Sequence, residues 1–462
     1  MTLSAESYSA RFRALIPVYC KPHPCRGAAI WRPAEVDPRR AANRRVSVLV
    51  ILGLFAAINA TAQSQPPVRI DLEQAIQMAL QHNHQLNANR TLIQQAEANQ
   101  ITASLRPNPV FLTDALFLPF FSPHALNGST IDNITEFDAG ISYTIERGNK
   151  RQARMRAARD QTTVTPATVE DNERVLIFTV AQQFIQLLLA KSTLAFARQD
   201  LGSFQKTVGI SQAQYKAGGI SEGDFLMIKL QLLQFQTDVS AANVALVQAR
   251  AALRQLIGYD ALPVNYHVTG DLAYAPRHLS ETDLEATALE RRPDLVAART
   301  GVNAADSQYA LATANGKRNL TLQANYTHVS ALNNASLFGT IEIPIFDRNQ
   351  GEIARTHYAI TQFQQAEQAV AGQVLTDVRT AFAAFQTSSQ VVSLYESGYL
   401  KEAQDSRNIS EYAYHRGAAT LLNFLDAERS YRTTQIAYRQ ALAAYMTSVE
   451  QLREAVGTRN LP

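Results

Sequence analysis

The stretch YKAGGISEGDFL, residues 215–226, recurs as YHRGAATLLNFL at residues 414–425. At the offset 414 − 215 = 199, Tyr215, Gly218, Ser221, Asp224, Phe225 and Leu226 stand against Tyr414, Gly417, Thr420, Asn423, Phe424 and Leu425. A glycine between two helical patterns marks a turn, and the pattern after each turn closes on a second glycine, Gly258 and Gly457. The register therefore holds over 457 − 414 = 43 positions, and two copies of so unusual a pattern point to a duplicated chain.

The duplication extends upstream. IDLEQAIQMAL from Ile70 and TDLEATAL from Thr282 both open helices with an acid at the positive helix end. A small gap then aligns LNANR at Leu86 with LVAAR at Leu295, and a strand pair follows each helix, closed by Ile145 and Ile345. The expected organisation is a leader and signal peptide over 1–62, a first repeat over 63–262, a linker over 263–282 with Pro263, Gly270 and Pro276, a second repeat over 283–457 and a tail over 458–462.

Four arginines, Arg39, Arg40, Arg44 and Arg45, precede the apolar run VSVLVILGLFAAI, and Ala60 and Ala62 supply a small-residue cleavage site before Gln63. That is the pattern of a secretory signal peptide. The run is shorter than the roughly 20 residues a membrane helix needs, and no other uninterrupted apolar stretch approaches that length. Both cysteines, Cys20 and Cys25, lie ahead of the cleavage site, so the exported chain is expected to have no disulfide, thiolate metal site or lipid-acceptor cysteine. A net charge of +3 over 462 residues offers no electrostatic case for nucleic acid.

After the first turn, Phe225, Ile228, Leu232, Phe235, Val239, Ala242, Leu246, Ala249, Leu253 and Leu256 step alternately by three and four. This is a coiled-coil seam, and the second half repeats it from Phe424 to Ala455. The segments before the turns, about 150–214 and 351–413, would each reach on the order of 95 Å as continuous helices. Pro166 predicts a break or kink in the first.

RNLTLQANYTHV alternates apolar Leu320, Leu322, Ala324 and Tyr326 with polar residues, and ASLFGTIEIPIFD does so through Leu337, Ile341, Ile343 and Ile345. FDAGISYTIE, with Phe137, Ala139, Ile141, Tyr143 and Ile145 on one side, pairs with PNPVFLTDALFLPFF, and loops are expected near 119–134 and 331–336. Strands with one apolar and one polar face suit a membrane barrel. Four strands cannot close one, and open edges in lipid cost several kcal/mol per unpaired group. Three copies supply twelve strands, the simplest closed solution, although the strands alone do not set the number of copies. Phe117, Phe120 and Phe121 suit an interfacial girdle. The expected fold class is mainly α with a membrane β-barrel part: a long coiled-coil barrel plus four strands per chain completing a twelve-stranded trimeric barrel.

With these features the chain resembles the TolC family of outer-membrane efflux proteins over residues 70–457. The tips resemble the family's Y-x-x-G pattern, and ERRPDLVAAR from Glu290 is similar to a segment of its second half. ERGNKRQARMRAA from Glu146 and IPIFDRNQGEIAR from Ile343 look most like outer-membrane components of cobalt, zinc and cadmium resistance pumps. The resemblance implies a passive exit duct: a homotrimer in outer-membrane lipid, docked by its tips onto a periplasmic adaptor and, through it, an inner-membrane pump. It implies a pore constriction at Asp426, Asn423 and Asp224, with Asn423 standing where an aspartate is common, and Ala419 where a latching arginine can occur. The adaptor-contacting tips would be Tyr215, Gly218, Gly219, Ser221, Tyr414, Gly417 and Thr420.

The chain has no G-x-x-x-x-G-K-[ST], H-E-x-x-H or G-x-S-x-G, so neither catalytic residues nor a cofactor are expected. His82 and His84 are two apart on a helix and do not share a face, and no metal site is expected. A periplasmic coiled-coil adaptor or scaffold would leave the half-apolar strands unexplained, whereas a duct for protein secretion would use the same tunnel.

Overall fold

The computed structural model describes residues 68–118, 120–125, 127–330 and 332–461. The expected leader and signal peptide, with both cysteines, lie outside the described residues. In chain order the elements are β1 (Arg69–Ile70), α1 (Leu72–His82), α2 (His84–Ser104), β2 (Val110–Leu116), α3 (Gly128–Asn133), β3 (Glu136–Ile145), α4 (Lys150–Lys216) and α5 (Glu222–Ile257). The second half follows with β4 (His267–Val268), α6 (Glu281–Arg291), α7 (Pro293–Asn315), β5 (Leu320–Val329), β6 (Leu332–Ile341), α8 (Gln350–Leu394), a π-turn at Tyr395–Tyr399, α9 (Leu400–His415) and α10 (Leu421–Val456).

Local chemistry accounts for the element ends. Asp71 starts α1 with a reciprocal capping box: its carboxylate accepts from the Gln74 amide at 2.8 Å, while the Gln74 side chain accepts from the Asp71 amide at 3.0 Å. The break between α1 and α2 falls at Asn83, and that between α6 and α7 at Arg292. Asn83 Nδ2 donates to the Leu256 carbonyl at 2.8 Å, and Arg292 Nη1 to the Ala455 carbonyl at 3.3 Å. These acceptors are 455 − 256 = 199 residues apart, so equivalent breaks cap the ends of equivalent heptad helices. Every residue of the first seam is buried or half-buried, as is every residue of the second.

The expected break at Pro166 does not occur. α4 runs unbroken for 67 residues, about 100 Å. A proline removes one helical hydrogen bond, but buried Ala157 before it and Ala167 and Val169 after it supply packing that offsets the loss. The second long helix is instead the one interrupted, where Gly398 takes φ 146° inside the π-turn. Buried Val180, Phe184, Leu187 and Leu194 of α4 match Val378, Phe382, Phe385 and Val392 of α8 at an offset of 378 − 180 = 198, whereas the tips match at 199. The second half has gained one residue between Val392 and Tyr414. A π-turn is how a helix absorbs a single insertion.

α4 also contains an 18-residue window long and apolar enough on average to cross a membrane, although polar residues such as Gln182, Gln183 and Gln186 interrupt it. Its apolar side chains belong to a core: Val180, Phe184, Leu187 and Leu188 pack with Ile76 of α1, Leu253 and Ile257 of α5, and Tyr266. The second half builds its own core from Leu284, Val378, Phe382, Tyr445, Leu452 and Val456.

The four longer strands form one antiparallel sheet in the order β2-β3-β5-β6, so β3 joins the two hairpins across the repeat boundary. The register puts Phe111, Ile141, Ala324 and Leu337 in one row, and Tyr143 beside Leu322, all on one face. The other face carries Asp114 opposite Asp138, Thr144 bonded to Thr321 at 3.2 Å, Gln323 bonded to Asn325 at 2.9 Å, and Thr327 donating to Asp138. The central strands β3 and β5 are thus apolar on one side and polar on the other, whereas the edge strands β2 and β6 are mixed, with Val110, Leu112 and Phe338 on the polar side. Two expectations about β6 are corrected. It begins at Leu332, paired with Val329, so the expected 331–336 loop shrinks to a tight turn through Ser330, whose φ is 50°. It ends at Ile341, opposite Leu320, the first residue of β5, so Ile343 and Ile345 have no partner strand, and Pro344 lacks an amide to donate.

Candidate functional site at the helical hairpin tips

The two tips are the same turn built twice. Gly218 N donates to Tyr215 O at 3.0 Å and Gly219 N to Gln214 O at 2.7 Å; Gly417 N donates to Tyr414 O at 3.0 Å and Ala418 N to Ala413 O at 2.8 Å. Gly218 and Gly417 have φ of 76° and 71°, where a side chain is strained. Gly219 stands opposite Ala418 and has no such demand. Ser221 and Thr420 then cap the next helices, their hydroxyls accepting from Asp224 N at 3.0 Å and Asn423 N at 3.2 Å.

Beneath the tips, Phe204, Ile228 and Phe235 from the first half share a core with Tyr414, Leu421 and Phe424 from the second. Phe204 stacks on Phe235 at 4.3 Å and Tyr414 on Phe424 at 5.5 Å. The repeated tyrosines therefore differ in setting. Tyr414 is 7% exposed, whereas Tyr215, stacked on Phe225, is 37% exposed. Burial pushes the Tyr414 hydroxyl up from its ordinary range. Asp426 is exposed, with Arg429 at 3.6 Å on the next turn, and Asn423 is exposed beside it, while Asp224 is half-buried at the other tip.

The sequence reading missed a charge network just behind these residues. Arg432 Nε lies 2.8 Å from Asp200, and Arg432 also pairs with Asp238. Arg407 Nε donates to Glu428 at 2.7 Å, Arg407 Nη2 lies 3.8 Å from Glu411, and Thr207 donates to Glu411 at 2.9 Å. Arg432 also sits over Phe235 at 4.1 Å. Asp200 and Glu428 are 4% and 2% exposed. Seven residues on four helices supply this network, and the only local signals were the pairs one turn apart, Arg407 with Glu411 and Glu428 with Arg432. Among the described residues no three His, Cys, Asp or Glu side chains are grouped to hold a metal ion.

A two-faced sheet with open edges, joined to long paired helices that end in matched tips, is the architecture of a membrane channel subunit. The family model described as outer membrane efflux protein matches residues 75–259 and 284–458, 185 + 175 = 360 of 462 residues, and the chain belongs to that family. It is 27% identical over 416 residues to the pyoverdine export outer membrane protein OpmQ of Pseudomonas putida, covering 84% of this chain and 86% of that one. It is 24% identical to the cobalt-zinc-cadmium resistance protein CzcC of Cupriavidus metallidurans, covering 80% and 85%. A crystal structure of CusC superposes with a TM-score of 0.69 at 22% identity, over 84% of this chain and 92% of the other.

Proposed function

We propose that this outer-membrane efflux protein is a homotrimeric channel-tunnel and the passive exit duct of a three-part pump, exported by the signal peptide expected within residues 1–62. The observation that carries the reading is the four-stranded sheet, whose central strands β3 and β5 are apolar on one face and polar on the other and whose edges at β2 and β6 are unpaired. Three copies joined edge to edge bury every strand edge and enclose a polar lumen. The long helices supply the periplasmic tunnel, and the tips around Gly218 and Gly417 contact an adaptor that couples the duct to an inner-membrane pump.

Heavy-metal cations are the proposed cargo, supported by the likeness to CzcC and by exposed Asp426 near one tip. Three Asp426 carboxylates brought together form a hydrated, cation-attracting ring that Arg429 neutralises only partly, since exposed ion pairs are weak. The likeness to OpmQ supports a second cargo, an organic chelator. The test is conductance of the purified mature protein in planar bilayers, with its oligomer mass measured in the same detergent. A trimer forming discrete cation-preferring channels is expected, and Asp426→Asn should reduce that preference without changing the mass. A water-soluble monomer indifferent to the bilayer would overturn the reading.

A further inference from the structure

At the junction of β3 with α4 a cleft of about 260 Å³ is lined by Arg106, Tyr143, Ile145, Glu146, Arg151 and Gln152. Tyr143 and Ile145 belong to the apolar face of the sheet, paired with Leu322 and Leu320. The cleft therefore lies where that face ends and the charged run ERGNKR begins. Its one carboxylate is already neutralised, because Arg154 holds Glu146 at 2.7 Å and keeps its carboxyl below the usual range. Arg151 spends its Nε on the Ser104 carbonyl at 2.6 Å, and neither Arg151 nor exposed Arg106 has a carboxylate partner among the described residues.

We propose that this cleft binds the phosphate headgroup of an anionic phospholipid in the leaflet facing the helical part of the protein. The inference rests on the reading of the sheet as membrane-embedded. Two guanidiniums without an ion-pair partner among the described residues, at the depth where the apolar face stops, match a phosphodiester in charge and in fork geometry. Tyr143 and Ile145 offer the adjoining acyl chains an apolar wall, with the tyrosine at the interfacial depth tyrosines favour. A zwitterionic lipid would bring its own cation against Arg106 and Arg151, so the anionic class is selected.

The test is native mass spectrometry of the full protein in detergent, titrated with phosphatidylglycerol and with phosphatidylcholine of the same acyl chains. Preferential retention of phosphatidylglycerol is expected. Arg106→Gln should weaken it roughly tenfold, the loss of one charge-assisted hydrogen bond, and Arg106→Lys should restore most of it. Arg106 makes no hydrogen bond or ion pair among the described residues, so an unchanged oligomer mass and melting temperature check the fold of both variants. Equal retention of the two lipids, or no effect of Arg106→Gln, would overturn the proposal. Full displacement by millimolar inorganic phosphate would overturn the lipid assignment in favour of a free-anion site. Failure of the membrane reading is separable: the wild-type protein would then not insert into vesicles of phosphatidylcholine alone.

Discussion

Asp200 is the residue whose behaviour departs most from its sequence appearance. Burial, and after it the charge of Glu428, push its carboxyl up to about 7, while Arg432 and Arg407 pull it down. For an acid whose folded value is raised, the folded state holds the extra proton. The associated stability is therefore full below about pH 4, the unfolded value, and is lost as pH rises through about 7. The groups facing Asp200 are Asp238 on α5, Arg407 and Glu411 on α9, and Glu428 and Arg432 on α10. Asp200→Asn keeps the shape without the ionisation. Its denaturation midpoint should change less between pH 5 and pH 8 than that of the wild type, and chemical denaturation at the two pH values reads this directly. An unchanged pH dependence would mean the proton resides on another group. None of this was legible in the sequence, because Asp200 looks like any helical aspartate until four helices close around it. Gly218 and Gly417, by contrast, were legible as turn residues from their spacing alone, since a positive φ is a local demand.

Among the elements, the π-turn of the second half and the unbroken α4 of the first reverse what residue type predicts. Pro166 carries the stronger helix-breaking signal, yet the helix passes through it, and the interruption falls at Gly398. A local rule counts one hydrogen bond, whereas buried neighbours along a helix of this length outweigh it. Gly398→Ala places a side chain at φ 146° and should destabilise the protein by about 1–3 kcal/mol. The nearest atom to the added carbon, Glu402 Oε1, is 3.7 Å away, so the penalty comes from the backbone and not from a clash. The same substitution at Gly372, within regular α8 and with open space around it, should be neutral or stabilising. Thermal unfolding of the pair measures the difference. The strands were legible from their period of two, but the end of β6 was not, because where a strand stops depends on where its partner starts.

At the scale of the whole molecule, α5 presents a second apolar row beside its buried seam. Leu226, Leu230, Leu233, Val244 and Val247 are exposed, with Leu230 at 69%, and they fall in the same step of three and four once Thr237 and Ser240 fill the two positions between Leu233 and Val244. A solvent-facing row in coiled-coil register is the surface a neighbouring helix would cover in the proposed trimer. Leu230→Glu should leave helix content unchanged and shift the detergent-solubilised protein from trimer to monomer; light scattering and circular dichroism would separate the two effects. A trimer that tolerates the charge would move the interface elsewhere.

The sequence by itself determined the duplication, the long heptad helices, the two glycine turns and the two-faced strands, because each is written in local periodicity or in a conformation that few residues tolerate. Tertiary structure alone decided that Pro166 is absorbed and Gly398 interrupts, that Tyr414 is buried while its repeat Tyr215 is not, that Asp200 and Glu428 share a charge network, and that Arg106 and Arg151 line one cleft. Each of these depends on distant segments meeting, and the free energy of burial or of an unpaired charge exists only once they have met.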